Sequence, residues 1–277
     1  MIDAGTRFRL EPASPPSVDV GGEIRYGRSD AVPSRFDEPP AGAATVVFLA
    51  SADDGANRRS LAALDAVLPA GVGAVIVADG VDVGFETDHE VIRTSAPLGR
   101  GAALNIGIRR AAGDAVVVID PSVVPTGDVI SPLVEALREP TVAVVGPIGL
   151  VSGDLRRFEE VAPTSASDVA AIQGELIAFR RVDAAARGPV DEGFRFSRYL
   201  DVWLSLILRD QGEGAAPRRA VAIPGLPFER GEAASLGLTP VAKHDRLARR
   251  NAYRVLDRFR TRVDLAVPAP VQSGVDS

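Results

Sequence analysis

Short apolar runs alternate with helical repeats through the middle of the chain. The runs predict strands at residues 45–50, 74–78, 91–94, 115–119 and 142–145. Between them, apolar side chains at helical spacing predict helices at residues 57–68, 100–112 and 127–138. This alternation is typical of an α/β fold in which helices cover a mainly parallel sheet.

The regular alternation ends after Gly146. Residues 154–170 are rich in Ser and Asp and predict a mobile loop. Two further apolar runs, at residues 176–179 and 220–223, predict strands, and residues 202–210 predict a helix that ends before a glycine. The second half therefore extends the sheet with less regular connections.

The two ends of the chain differ in pattern from its middle. Residues 1–43 hold several Pro and Gly with little periodicity, which predicts an irregular lead-in. Residues 243–263 predict an amphipathic helix, because apolar residues fall on one face and most arginines on the other. We therefore divide the chain into a lead-in, a main α/β domain at 44–232, and a C-terminal basic helix and tail at 233–277 that is frayed from Pro268.

Composition restricts the chemistry open to the protein. The chain has 277 residues, of which 46% are apolar and 25% charged, as expected of a soluble globular protein. It has no cysteine, which excludes disulfides, thiolate metal clusters and cysteine nucleophiles. Its two histidines, His89 and His244, argue against a Ser-His-Asp hydrolase and against zinc sites with several histidine ligands. Acid–base chemistry is therefore expected to depend mainly on carboxylates.

Charge is distributed unevenly along the chain. The net charge of −6 argues against general nucleic-acid binding. Residues 243–264 nevertheless carry +5, so the rest of the chain carries −11. This basic segment predicts a solvated helix packed on the body or, as an alternative, a peripheral contact with an anionic membrane or an acidic protein.

The sequence predicts neither a membrane span nor a secretion signal. No segment provides the roughly 20 consecutive apolar residues that a helix needs to cross a bilayer. Residues 1–10 show no basic stretch followed by an apolar one. We therefore expect a cytoplasmic protein, with the inner face of the membrane as a further location through the basic helix.

Two carboxylates follow predicted strands. Asp79, followed by Gly80, ends one strand, and Asp120 ends another. Ligands bind at the carboxyl ends of strands in open α/β sheets, so Asp79 could accept hydrogen bonds from a nucleoside and Asp120 could ligate Mg²⁺ or Mn²⁺ on a diphosphate. The alternatives are an ordinary Asp-Gly turn and a capped strand end.

Two helix starts carry further candidates. Gly99, Arg100 and Gly101 lie at the start of the helix predicted at residues 100–112, which contains Asn105. A glycine-rich helix start with an arginine favours phosphate binding. The glycine spacing does not match a dinucleotide fingerprint, and a plain loop–helix junction is the alternative. Asp201 opens an apolar helix, where it is either a helix cap or, in the right context, a functional acid.

The order of these motifs supplies that context. Residues 44–224 contain, in sequence, Asp79-Gly80, Gly99-Arg100 with Asn105, strand-terminal Asp120, Gly174-Glu-Leu-Ile-Ala-Phe-Arg-Arg, and Asp201-Val-Trp-Leu-Ser-Leu-Ile-Leu. Each motif is weak alone, but the series resembles the family 2 glycosyltransferases. The resemblance implies a GT-A fold and an inverting transfer of sugar from a nucleotide-sugar donor to a hydroxyl of a glycan or glycoconjugate acceptor.

The resemblance also implies roles for individual residues. The nucleoside pocket would be lined by Ala50, Ser51, Asp79 and Gly80. Asp120 would hold the metal on the diphosphate, and Asp201 would be the general base. Gln173 and Gly174 would face the acceptor. Trp203 has helical spacing, so it either packs in the core or forms an acceptor platform.

The sequence departs from the family pattern at several positions. The usual Asp-x-Asp reads Asp120-Pro-Ser122, so a neutral hydroxyl replaces the second acid and weaker metal binding is expected. Ala78 replaces the first acid of Asp-Asp-Gly, Leu200 precedes the base, and the place of a late histidine reads Phe228-Glu-Arg-Gly. One alternative is therefore a catalytically degenerate sugar-nucleotide-binding subunit. A sugar-phosphate nucleotidyltransferase ranks third, because the first strand lacks its glycine-rich loop.

Overall fold

The computed structural model describes residues 17–20, 22–161, 163–231 and 241–269. The first part of the predicted lead-in, at residues 1–16, lies outside these residues, as does the part of the predicted frayed tail at 270–277. Over the described residues the chain forms a mixed α/β structure with one large sheet. The predicted fold class is therefore confirmed.

Strands and helices are numbered in chain order. The strands are β1 (Ser17–Val20), β2 (Glu23–Tyr26), β3 (Ala44–Leu49), β4 (Val72–Ala78), β5 (Glu90–Thr94), β6 (Ala115–Ile119), β7 (Val123–Pro125), β8 (Val142–Gly146), β9 (Gly149–Val151), β10 (Glu159–Val161), β11 (Ser167–Val169), β12 (Ala171–Ile172), β13 (Leu176–Arg180), β14 (Arg219–Ala222) and β15 (Phe228–Arg230). The helices are α1 (Asp54–Val67), α2 (Arg100–Arg110), α3 (Ile130–Ala136), α4 (Arg181–Arg187), α5 (Leu200–Arg209) and α6 (Val241–Phe259).

The main sheet has ten strands in the order β1, β2, β5, β4, β3, β6, β13, β8, β14, β11. Within the run β2, β5, β4, β3, β6, each strand is parallel to the next. Strand β13 enters antiparallel between β6 and β8. Its reversed direction places the start of β13 beside the end of β6, which brings two distant parts of the sequence to one sheet edge.

Apolar side chains of the central strands alternate between two layers. Val47 and Leu49 of β3 pack with α2, α5 and α6 on one face, whereas Val46 and Phe48 pack with α1 and α3 on the other. All six residues of β3 are buried, as expected for a strand covered on both faces. The core thus fixes the carboxyl end of β3 and of its neighbours β4 and β6.

Observed boundaries lie close to the predicted ones for the central elements. The predicted strand at 115–119 is β6, and the predicted helix at 202–210 is α5 with a start two residues earlier. The predicted lead-in is not irregular throughout, since it contains β1 and β2. The reason is long-range pairing: β2 pairs in parallel with β5, close to the sheet edge. The predicted loop at 154–170 contains two short strands, β10 and β11.

The C-terminal helix α6 closes the layer that contains α2 and α5. Val255 and Phe259 are buried in that core, while Arg246, Arg249 and Arg250 are exposed. The predicted apolar and basic faces of this helix are thus observed. Among the described residues, no helix has both the length and the apolar character to cross a bilayer.

Candidate functional site

The candidate residues follow strands that end at one edge of the sheet. Phe48 of β3 pairs with Ile119 of β6, so the residues that follow these strands lie side by side. Leu176 of β13 also pairs with Ile119, and the Asp120 backbone N–H donates to the Glu175 carbonyl at 2.9 Å. The antiparallel strand therefore brings the segment 173–175 against Asp120.

A cleft of about 420 Å³ opens at this edge. It is bounded by the end of β6, the start of α2, the segment before β13 and the start of α5. Its polar side chains include Arg100, Asp120, Gln173, Glu175 and Asp201, and Gly174 also lines it. Four parts of the sequence thus supply polar side chains to one cleft, and the predicted acids Asp120 and Asp201 both line it.

Asp201 lies in the first turn of α5. Its two carboxylate oxygens accept backbone N–H groups of Val202 at 2.9 Å and of Gly174 at 3.2 Å. Desolvation by burial raises the pKa of Asp201 to about 6, the two hydrogen bonds oppose that rise, and the charge of Glu175 adds to it. A carboxylate with such a pKa can accept a proton near neutral pH, as a general base must.

Gly174 is required for the close approach of Asp201. A β-carbon at position 174 would lie 2.9 Å from the β-carbon of Asp201. Any larger residue would therefore displace the aspartate or the strand that follows. The glycine in the predicted acceptor segment has a steric function in this structure.

Two aromatic rings form part of the cleft wall. Phe158 and Tyr199 meet edge to face, with ring centroids 6.5 Å apart, and both line the cleft. Tyr199 adopts a left-handed backbone conformation with φ of 70°, which is strained for a residue with a side chain. Sequence reasoning did not select either residue, since Phe158 falls in the predicted loop and Tyr199 precedes the predicted helix.

Arg100 and Asp120 form an ion pair inside the cleft. The Arg100 guanidinium donates to Oδ2 of Asp120 at 2.6 Å, and the side chains are 15% and 3% exposed. Oδ1 of Asp120 accepts the Ser122 backbone N–H at 3.0 Å. Both oxygens of the strand-terminal carboxylate are thus engaged by protein groups.

The residues around Asp120 do not fit a divalent-metal site. The acid already pairs with a guanidinium cation, and the neighbouring Ser122 contributes only a neutral hydroxyl, which is buried and has no hydrogen-bond partner among the described residues. Within the described ranges there is no cluster of three or more potential metal-ligating acids and histidines. Hard cations are held by several oxygen ligands, of which carboxylates supply the charge.

Asp79 stabilises the loop that leads into α2. Its carboxylate accepts the Thr94 hydroxyl at 2.9 Å and the backbone N–H groups of Leu98 at 2.7 Å and Gly99 at 2.8 Å. Gly80 has φ of 65° and packs against a proline, so the Asp-Gly pair also makes the turn that is the alternative interpretation. Both residues lie beside the cleft lining, not within it.

The start of α2 is held by another loop. The backbone N–H of Gly101 donates to the Phe194 carbonyl at 2.8 Å, and that of Arg100 to the Arg195 carbonyl at 3.4 Å. These backbone N–H groups are therefore already hydrogen-bonded within the protein. The phosphate contact predicted for this helix start would have to come from the Arg100 side chain. Gly99, with φ of 105°, allows the close approach, because a β-carbon there would lie 2.8 Å from Arg195.

Two other predicted donor residues make internal contacts. The Asn105 amide donates to the Val190 carbonyl at 2.9 Å and accepts the Val190 N–H at 2.8 Å. The Ser51 N–H and hydroxyl both donate to the Asn57 side-chain oxygen, at 2.9 and 3.2 Å. Ala50 precedes Ser51 at the end of β3, where its N–H donates to Val77 at 3.0 Å.

The side of the cleft that is predicted to face an acceptor contains a charged network around Gln173. In the amide orientation that satisfies both neighbours, the Gln173 side chain donates to Glu160 at 3.0 Å and accepts from Arg230 at 2.7 Å. Arg230 also pairs with Glu175 at 2.6 Å. Arg230 and Glu175 were not selected from the sequence, although the Phe228-Glu-Arg-Gly segment stands where some relatives have a histidine.

Trp203 lies away from this cleft. Its ring contacts Phe194, with centroids 5.2 Å apart, and Phe259 of α6, with centroids 5.5 Å apart. It is absent from the cleft lining. Trp203 therefore packs in the core, which is one of its two interpretations. Its contacts do not support the other interpretation, an acceptor platform.

Comparison with solved structures relates the fold to known enzymes. The structure titled GalNAc-T7 with UDP, GalNAc and Mn²⁺ matches at a TM-score of 0.61 and 15% identity, over 77% of this chain and 48% of that one. The mannosyltransferase PcManGT from Pyrobaculum calidifontis, in complex with GDP-Man and Mn²⁺, matches at a TM-score of 0.51 and 19% identity, over 73% and 59%. At such identities the likeness shows the GT-A fold alone.

The chain spans only about half of the lengths of these two proteins, 48% and 59%. No curated protein sequence matches it significantly. A family model gives independent support for the motif order described above. Residues 52–184, just under half of the chain, match the model for glycosyl transferase family 2.

Proposed function

We propose that the cleft transfers a sugar from a nucleotide-sugar donor to a hydroxyl group of a glycan or glycoconjugate, with inversion at the anomeric carbon. The observation that supports this most strongly is the meeting of Asp201 and the Arg100–Asp120 pair in one cleft. The lining of this cleft holds a candidate base together with a cation for a leaving diphosphate. These are the two functions that an inverting displacement needs.

In the proposed reaction Asp201 accepts the proton of the acceptor hydroxyl. The acceptor oxygen attacks the anomeric carbon from the face opposite the diphosphate and forms the new glycosidic bond. The bond from the anomeric carbon to the diphosphate oxygen breaks, and its electron pair leaves with the nucleoside diphosphate. Arg100 stabilises the negative charge that develops on that oxygen, and no step here requires a metal.

The donor and acceptor sides follow from the positions of the other residues. Ala50 and Ser51 follow β3, the neighbour of β6, and Asp79 and Gly80 follow β4, the next strand along, so all four residues lie at the same sheet edge, which supports a nucleoside contact there. Gln173 and Gly174 lie on the Asp201 side and support an acceptor contact.

An activity assay tests the proposal. The full chain is incubated with a panel of nucleotide sugars, and release of nucleoside diphosphate is measured for the wild type and for Asp201→Asn. We expect the variant to lose activity by about 10²–10⁴-fold, because it cannot accept a proton. Asp257→Asn, an exposed acid on α6, is the matched control and should retain full activity. Equal turnover by wild type and Asp201→Asn would remove Asp201 from the mechanism.

The second candidate function is binding without transfer. It is favoured by the engagement of both Asp120 oxygens and of the Asp79 carboxylate by protein groups. Such a subunit would bind nucleoside diphosphates in calorimetry yet release no sugar from any donor in the panel. Measurable turnover that depends on Asp201 would rule it out.

A further inference from the structure

We propose that this cleft binds its nucleoside diphosphate without a divalent cation, and that Arg100 supplies the positive charge in the cation's place. The inference rests on the proposed function and specifies how that site holds its donor. Under this proposal Asp120 is a positioning residue, which holds the Arg100 guanidinium at the cleft wall. Both solved structures named above contain Mn²⁺, so the inference separates this chain from them.

The first argument is the occupancy of Asp120. The side chain is 3% exposed, Oδ2 lies 2.6 Å from Arg100, and Oδ1 accepts a backbone N–H. A metal ion would have to replace the guanidinium at the same oxygen. Because the side chains of the ion pair are largely buried, the two cations would repel each other strongly if both were present.

The second argument is charge balance. A single carboxylate at this position is neutralised by a single guanidinium, and Ser122 adds no charge. A divalent ion beside the same pair would leave an excess of two positive charges before any ligand binds. The absence of a second acid and the presence of Arg100 are therefore consistent with each other. Neither is consistent with a divalent ion bound beside Asp120.

The third argument is how rigidly Arg100 is held. The residue begins α2, and its backbone N–H donates to the carbonyl of Arg195 at 3.4 Å. A second guanidinium N–H lies 3.5 Å from the Leu49 carbonyl. A guanidinium presents five N–H donors in a fixed fork, so it can bind Asp120 and still donate to a phosphate oxygen.

Two measurements on the full chain test the proposal. In the first, Mn²⁺ alone is titrated into the protein and followed by its electron paramagnetic resonance signal. In the second, the probes UDP and GDP are titrated calorimetrically in EDTA and in MnCl₂. We expect no retention of Mn²⁺, and affinities for the better-bound nucleotide that agree within about threefold between the two buffers.

Variants connect this result to Arg100. Arg100→Gln combined with Asp120→Asn removes both charges and leaves no buried ion unpaired, so the fold should persist. We expect it to bind the nucleotide at least about tenfold more weakly than wild type in EDTA, because charge-assisted hydrogen bonds are lost. Arg59→Ala, an exposed arginine on α1, is the control and should bind as wild type.

The outcomes separate this inference from the proposed function. Mn²⁺ retention by wild type that is lost in Asp120→Asn would overturn the inference, as would nucleotide binding that requires Mn²⁺. Wild-type affinity in the double variant would overturn the role of Arg100. Absence of nucleotide binding in both buffers would instead remove the proposed function, and this inference with it.

Discussion

The raised pKa of Asp201 makes this residue a better base and also lowers the stability of the fold at neutral pH. Burial raises its pKa from 3.8 to about 6, so the folded protein binds its proton more tightly than the unfolded chain does. The stability that this proton provides is present at low pH and is lost as the pH rises from about 4 through about 6. At neutral pH the buried, ionised carboxylate therefore lowers the stability of the fold.

The first prediction concerns this pH dependence. Between pH 4 and pH 7 the unfolding free energy of wild type should fall by about 1–3 kcal/mol relative to Asp201→Asn, as followed by urea denaturation. In the same range, sugar transfer by wild type should rise as the pH passes about 6. A difference between the two proteins that does not change with pH would contradict the raised pKa.

The second prediction concerns Gly174. Gly174→Ala places a methyl group 2.9 Å from the β-carbon of Asp201, so the base should move and transfer should fall by about tenfold or more. Gly73→Ala is the control, because a methyl group added there would have no atom within 4 Å and the backbone is unstrained. Kinetics for both variants, with circular dichroism to check folding, measure the difference; equal losses would argue against a steric role.

At the scale of elements, the loop from β5 to α2 is organised by a single side chain. Three hydrogen bonds from Thr94, Leu98 and Gly99 converge on the Asp79 carboxylate. Arg100 follows directly, so the position of the cleft cation depends on this loop. The residue proposed for nucleoside contact therefore also positions Arg100, which is proposed to contact the diphosphate.

The third prediction follows from these contacts. Asp79→Ala should lower the unfolding free energy by about 2–4 kcal/mol, because two backbone N–H groups and a hydroxyl lose their acceptor. Urea denaturation measures this. A variant that loses nucleotide affinity with unchanged stability would show that Asp79 acts on the ligand and not on the loop.

Prediction from sequence succeeded where local pattern decides the structure. Buried runs such as 115–119 specify a strand, and the acid after the run specifies its end, so Asp120 was placed at the sheet edge. It failed where partners lie far apart in sequence: the Arg100–Asp120 pair, the Gly174–Asp201 contact and the Arg230 network depend on tertiary packing. Helical spacing alone also leaves open which neighbour Trp203 contacts.

At the scale of the whole molecule, the C-terminal helix α6 contributes to the cleft although it lines none of it. The Asn251 amide donates to the carbonyls of Phe196 at 2.9 Å and Arg198 at 2.8 Å. The segment that follows Phe196 forms a cleft wall, with Ser197 and Arg198 in its lining. The basic helix is thus a structural support of the site.

The fourth prediction tests this support. Asn251→Ala leaves two carbonyl groups without a donor and should lower both the unfolding free energy, by about 1–3 kcal/mol, and the transfer rate. Arg249→Ala, an exposed neighbour on the same helix, should change neither. Thermal unfolding and the transfer assay measure the two effects. An Asn251→Ala variant with the stability and activity of wild type would show that α6 does not support the site.

The reversed direction of β13 has a consequence for how such a protein can diversify. Ile119 and Leu176 are paired neighbours, so the segment between them, which supplies β8 and β11 to the same sheet, returns to the point where β6 ends. Exposed residues at 164–166, after β10, lie outside these strands and can change in length without moving either anchor. Glu160 of β10 lines the cleft, so insertions at 164–166 should alter what approaches the cleft mouth while Asp120 and Asp201 keep their relative positions.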